Sequence, residues 1–345
     1  VGALTMNGAL NDVDGTVAVG YKSLTALTSG AGNTAVGFEA GKDTTTGSNN
    51  TLLGYQAGQN ILGGSNNIAI GTASGETMTG VSSTVLIGKQ AGQSINNATA
   101  LGTVAVGHQA LKDVTNGAGN TAVGYTSADS VTTGASNTVL GYGAFATATD
   151  TSKCVIIGRN AGDSINSSDA DGTVLMGFDS GQAITSGQYT TAVGYESLTS
   201  LTNGDKNTAV GYQAGNTTEG AQKSTFIGYD TEGSGANVNN ETVIGADAVG
   251  QGANSVTLGN GDVSAVYMAQ DATSDNSTNT EGATVYAKGL HLKQLSAHDS
   301  GGMDTPLILH SHFNDSPSGG QGTGLLIRNS ADDDNSSEDV AKIGF

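Results

Sequence analysis

An apolar triplet followed by glycine returns along this chain at a fixed spacing. One copy reads GNTAVGFEAG at Gly32–Gly41; others read GNTAVGYTSA at Gly119–Ala128 and KNTAVGYQAG at Lys206–Gly215. The glycine closing the triplet serves as a marker. It falls at Gly20, Gly37, Gly54, Gly71, Gly88, Gly107, Gly124, Gly141, Gly158, Gly177, Gly194, Gly211, Gly228, Gly245 and Gly259. Successive markers are 17 residues apart eleven times, 19 apart twice and 14 apart once. A short fixed period marks stacked copies of one supersecondary unit, each covering its neighbour's apolar face. The pattern therefore predicts an elongated rod.

Each unit has its own internal pattern. The residue before the marker is always aliphatic: Val19, Val36, Leu53, Ile70, Ile87, Val106, Val123, Leu140, Ile157, Met176, Val193, Val210, Ile227, Ile244 and Leu258. Three before the marker stands Val, Ile or Thr, as in Val17, Thr34, Ile68 and Val256. Positions of one parity share a strand face, and β-branched residues suit a packed pleated surface. These two columns are expected to line the inside of the coil, with the aliphatic residue before each marker as the core ladder. The position between them should face water, yet it is apolar as well: Ala18, Leu52, Leu86, Val139, Ile156, Leu175, Phe226 and Val243. A strand apolar on both faces is buried on both, so this column is expected to need cover from elsewhere.

Beyond the marker the next residue is aromatic in nine of fifteen units, from Tyr21 and Phe38 to Tyr229. A polar residue and then a small one follow, as in Glu39-Ala40 and Gln213-Ala214, which predicts a second, shorter strand with a polar outer face. Glycine between the two strands fits a corner that a Cβ would obstruct. The remainder is Gly, Asn, Thr and Ser, the chemistry of turns. The fold class is thus all-β: a repetitive parallel β-roll solenoid of about 15 rungs, followed by an irregular β region. At about 4.8 Å per rung the rod would be on the order of 70 Å long. The expected organisation is a β-roll shaft or head over 1–262, neck and linker strands over 263–300, and a C-terminal β region over 301–345. The start at Val1 and the end at Phe345, inside an apparent strand, predict a piece of a longer protein.

Composition narrows the classes. The chain has 54 Gly but only 2 Pro and no Trp. Its apolar positions keep strict register, which a disordered polar tract has no reason to do. With 31 acidic and 12 basic side chains the formal charge is −19. No basic groove is available for nucleic acid, and the charge keeps an abundant rod soluble and self-repelling. No apolar run approaches the roughly 20 residues a helical membrane span requires. The single cysteine, Cys154, cannot form an intrachain disulfide and reads as a small buried hydrophobe.

The rungs Asn66-Asn67-Ile68-Ala69-Ile70-Gly71 and Asn254-Ser255-Val256-Thr257-Leu258-Gly259 resemble those of trimeric autotransporter adhesin heads. The 17-residue unit GNTAVGYQAG more closely resembles repeat arrays in bacteriophage tail-fibre proteins. The likeness covers about Val13–Met268. It implies a left-handed β-roll, an intertwined homotrimer, and a doubly apolar strand turned to the trimer axis through Ala18, Leu52, Leu86, Val139, Ile156, Leu175, Phe226 and Val243. The units are three residues longer than the adhesin repeat, and only the last step reverts to 14.

Catalysis finds no support: His108, His291 and His298 are isolated, and acids such as Glu39 and Glu196 recur at a solvated position. A threonine column at Thr34, Thr51, Thr121, Thr138, Thr191 and Thr208 raises an ice-binding array, but its expected inward position argues against that. Asp332–Asp334 reads as a solvated loop rather than a calcium site. Segments 93–97 and 163–167 absorb the two 19-residue steps and should bulge; they read as duplicated turns or as ligand-contacting loops. His310 and His312 would share a strand face. In a trimer three such pairs would offer six imidazole nitrogens to an axial metal such as iron; two exposed or hydrogen-bonded histidines are the plainer reading. No cofactor is required otherwise. The expected function is a structural and adhesive phage tail fibre on the virion, acting in host attachment, with itself and a cell-surface polysaccharide or protein as partners. A bacterial trimeric autotransporter adhesin head at the cell surface is the alternative, and a capsule depolymerase tailspike ranks third.

Overall fold

The computed structural model describes residues 5–6, 11–97 and 99–263, with the backbone of 326–328 and 340–342. Fifteen three-residue strands occupy the triplets before the markers. They are β1 (Val17–Val19), β2 (Thr34–Val36), β3 (Thr51–Leu53), β4 (Ile68–Ile70), β5 (Val85–Ile87), β6 (Val104–Val106), β7 (Thr121–Val123) and β8 (Thr138–Leu140). They continue as β9 (Val155–Ile157), β10 (Val174–Met176), β11 (Thr191–Val193), β12 (Thr208–Val210), β13 (Thr225–Ile227), β14 (Thr242–Ile244) and β15 (Val256–Leu258). All fifteen form one parallel sheet in chain order. Register is strict, with Thr34 beside Thr51 and Val36 beside Leu53. The described residues of the first unit, which spans 1–270, thus form a parallel β-solenoid. In the second unit, 271–345, β16 (Leu326–Arg328) pairs antiparallel with β17 (Val340–Lys342). The neck and linker strands expected over 264–300 lie outside the described residues.

The corner behaves as expected. Gly54 holds φ +139°, and a Cβ there would meet the carbonyl oxygen of Gly71 in the next rung at 2.7 Å. The same positive φ recurs at every marker, so glycine is a backbone requirement of the stack.

The second strand is not formed. After the marker the chain makes consecutive tight turns, with Ala40 N–H donating to Gly37 O, Lys42 N–H to Glu39 O and Thr44 N–H to Gly41 O. The first two of these turns carry a left-handed residue in the third place, Glu39 at φ 55° and Gly41 at φ 60°. The remaining amides bond to adjacent rungs, Glu39 N–H to Tyr21 O and Gly41 N–H to Ala57 O, so this wall is a ladder of turns.

The two faces of the strand are exchanged relative to expectation. Ala35, Leu52, Ala69, Leu86, Val139, Ile156, Leu175, Phe226 and Val243 are buried within the coil, and Ala18 is partly buried at its first rung. None of the fifteen residues expected as the core ladder is buried: Val19, Leu53, Val123, Met176, Val210, Ile227, Ile244 and Leu258 are exposed, while Val36, Ile70, Ile87, Val106, Leu140, Ile157 and Val193 are half-buried. The physical reason is room. Leu52 fills the space beside Gly41 and Gly58 across the coil, and a 17-residue perimeter holds one inward side chain per three-residue strand, not two.

A polar column also lies inside. Asn33, Asn50 and Asn67, just before their strands, are fully buried. Asn50 Oδ1 accepts from the Asn67 amide at 3.0 Å, and Asn50 Nδ2 donates to Asn33 Oδ1 and to Gly64 O at 3.0 and 2.9 Å. Asn120, Asn137 and Asn207 repeat the motif, each donating to a carbonyl of the following turn. These side chains satisfy backbone groups that a small core would otherwise leave unpaired.

Candidate interaction face

With the triplet's middle residue turned inward, its two flanking residues point out. The sheet's outer surface therefore carries two exposed columns, Val17, Thr34, Thr51 and Ile68 onward in one and Val19, Val36, Leu53 and Ile70 onward in the other. Threonines expected inside, including Thr34, Thr51, Thr121, Thr138, Thr191 and Thr208, stand in the outer column as well. Across the marker glycine runs a third column, the aromatics. Eight of its nine aromatic side chains are 40–54% exposed.

Parallel stacking sets the spacing of that column. Tyr21, Phe38 and Tyr55 stack with centroids 5.3 and 5.1 Å apart. Thr72 and Lys89 interrupt the run. It resumes with His108 on Tyr125 at 4.9 Å and Tyr125 on Tyr142 at 5.0 Å. Arg159 then takes a ring's place, its guanidinium 5.7 Å from the Tyr142 centroid and 5.6 Å from that of Phe178. Phe178, Tyr195, Tyr212 and Tyr229 complete the ladder. Each ring pair adds about 0.5–1.5 kcal/mol beyond area burial, and an exposed cation over a ring about 0.5–1 kcal/mol. Faces are used in stacking, so the ladder presents mainly ring edges outward.

The three columns form one band along the sheet, mostly apolar but carrying the threonines in one column and breaks at Thr72, Lys89 and Arg159 in another. Aromatic side chains of about 150–250 Å² each, nearly half exposed, leave several hundred Å² open by themselves, which already reaches the largest patch usual for a monomer. The residues expected to meet a partner chain, Leu52, Leu86, Val139, Ile156, Leu175, Phe226 and Val243, are sealed inside their own coil and are not available to one. The available set is the one expected as core.

Elsewhere the described surface is mostly polar, with Leu62, Leu101, Tyr189, Val249 and Val263 as exposed exceptions. Glu39 accepts from Gln56 at 3.2 Å and from Gln59 at 3.0 Å, and Gln213 donates to Glu196 at 2.6 Å, so turn-wall side chains bridge successive rungs. The first 19-residue step ends at exposed Leu101; in the second, Ser168–Ala170 form a 3-10 turn capped by Ser167. Burial pushes the Asp129 carboxyl up, with Asp113 adding to it and Lys112 opposing; burial and then the Asp179 charge push Asp163 up. Among the described residues no group of three or more His, Cys, Asp or Glu side chains gathers, and no helix is long and apolar enough to cross a membrane. His291, His298, His310, His312 and Asp332–Asp334 lie outside the described residues.

Fold and surface together define a repeat protein of the parallel β-solenoid class. No family model and no curated protein matches the chain.

Proposed function

We propose that the chain is the self-associating rod of an adhesive fibre: a homotrimer whose subunits cover one another's apolar bands, carried on a phage tail and used in host attachment. The observation carrying this reading is the outward band of Val17/Val19, Thr34/Val36, Thr51/Leu53 and their successors, exposed or half-buried, beside the stacked aromatics. A rigid periodic rod with one apolar side is built to be bundled. The resemblance of the rungs to tail-fibre arrays supplies the number three and the phage setting; the adhesin head is the alternative setting for the same assembly. Replacing Leu53, Val123 and Val210 together by Asp tests it. The expected product is a folded monomer by light scattering and circular dichroism; unchanged association would refute the proposed interface.

One observation favours a second reading. The threonine column faces outward, so hydroxyls at Thr191, Thr208, Thr225 and Thr242 stand in register on an open sheet, as an ice-binding array requires. The neighbouring column mixes Val, Leu, Ile and Met and lacks that regularity. Thermal hysteresis from a monomeric sample would support ice binding and remove the fibre reading.

A further inference from the structure

The wall of turns opposite the sheet carries a groove of about 610 Å³, lined by Ala26, Asp43, Thr45, Asn60, Leu62, Thr77, Thr79 and Asn96. It lies between two outward columns that flank the inward Thr44, Ile61, Met78 and Ile95, which are buried. It is an open surface groove rather than an enclosed cavity, a shape that suits an extended chain lying along it rather than a ligand buried within it.

Three features set this stretch apart. First, the Asp43 carboxylate, the Thr45 hydroxyl and the Asn60 and Asn96 carboxamides make no hydrogen bond to the rest of the described chain. The corresponding hydroxyls in other rungs are spent, as where Thr115 donates to Thr132 O and Thr132 to Thr149 O. Second, Leu62, 39% exposed, stands where Thr45, Thr115 and Thr132 stand in other rungs and alone of these four has a positive φ, 52°. Its carbonyl accepts from the Thr45, Thr46 and Gly47 amides at 2.9, 3.3 and 3.3 Å, as Thr149 O does from those of Thr132, Thr133 and Gly134. Third, no cation lines the groove. The nearest in sequence, Lys42, is directed to Glu39 at 3.9 Å.

We infer that this groove binds a neutral glycan. A carboxylate and two carboxamides accept from and donate to sugar hydroxyls, and Leu62 with Ala26 offers an aliphatic patch for the C–H face of a pyranose. Asp43 and the net charge of −19 oppose anionic sugars. The groove runs across successive rungs, so a linear polysaccharide lying along the rod would meet polar groups at rung spacing. The inference rests on the fibre reading only for its biological setting, a host-surface polysaccharide; the groove belongs to a single coil and lies away from the apolar band.

The test is equilibrium binding of the native chain to immobilised neutral oligomers of glucose, mannose, galactose and N-acetylglucosamine, with polygalacturonate and sulfated fragments as acidic arms. At least one neutral oligomer should bind and the acidic arms should not. Asp43→Ala and Asn60→Ala should each weaken binding by about tenfold. Asp113→Ala, at the corresponding place four rungs on, should leave it unchanged. Leu62→Gly relieves the backbone and should leave thermal stability equal or higher while weakening binding, which a purely structural role would not do. The inference is overturned if no neutral oligomer binds below about 1 mM, if acidic glycans bind better, or if Asp43→Ala and Leu62→Gly bind like the native chain. Light scattering on the same samples separates the two ideas: a monomer that binds glycan removes the fibre and keeps the groove, and a trimer that binds none does the reverse.

Discussion

Leu52 occupies the space that Gly58 leaves open: a Cβ on Gly58 would meet Leu52 Cδ2 at 2.6 Å. The pairing recurs with Leu86 and Gly92, and with Leu175 and Gly181. Where the strand centre is only alanine, at Ala18, Ala105 and Ala192, the position opposite holds Leu24, Leu111 or Leu198. Where alanine faces glycine, as at Ala35 and Gly41, the space is filled from the rungs on either side by Leu24 and Leu52, so the interior stays close-packed along the stack. Leu52→Ala is therefore expected to lower unfolding free energy by about 2–5 kcal/mol, read from denaturant melts. Leu53→Ala, on the outer face, should cost a folded monomer far less, and its effect should appear in association instead.

The buried asparagine column makes a separate expectation. Asn50→Ala leaves the Asn67 amide and the Gly64 carbonyl without their partners. At about 1–3 kcal/mol for each orphaned buried group, a loss of about 2–5 kcal/mol is expected in the same melts. A loss below about 0.5 kcal/mol, the level of an ordinary surface change, would contradict the column's role.

Cys154 stands where Asn120 and Asn137 stand in the two preceding rungs. Its thiol lies 3.5 Å from Ala170 O, and burial pushes its pKa up to about 11. In the folded chain at pH 8 the thiol should resist disulfide reagents and react fully once the chain is unfolded. Because the folded pKa is raised above 9.0, its stability contribution is present below that value and lost as pH rises through about 11. Cys154→Asn should retain stability and remove that alkaline loss.

Asp129 and Asp163 act on the acid side. Both carboxyls are held above 3.8, chiefly by burial. The folded chain keeps their protons to higher pH than the unfolded chain does. Their contribution is thus full below pH 3.8 and lost as pH rises through the folded values. The double variant Asp129→Asn, Asp163→Asn should gain stability over native at pH 7 and show a flatter melting temperature between pH 4 and 7.

The rungs, their strands and the marker corner were legible in the sequence because a period of 17 is indifferent to which face is which. The faces were not. Three apolar residues in a row, as in Val85-Leu86-Ile87, carry no alternation to read, and β-branched residues suit either side of a sheet. The deciding signal was volume: Leu52 with Gly58 against Ala105 with Leu111. The wall of turns was misread because its left-handed positions hold Glu39, Gln56 and Gln213, residues with no special liking for that backbone; only Gly41, Gly58 and Gly75, two places on, hinted at it. The asparagines read as turn residues, whereas the coil encloses them. The groove at Leu62 depends on how side chains of successive rungs stand beside one another, which composition does not announce.

On the fibre reading, copies of the same chain cover the outward apolar band. The most direct measurement is the mass of the native chain in dilute solution by size-exclusion chromatography with light scattering. The account expects one species at three times the 34.1-kDa chain mass, stable on dilution. A folded species at 34.1 kDa, with its apolar band open to water, would contradict it.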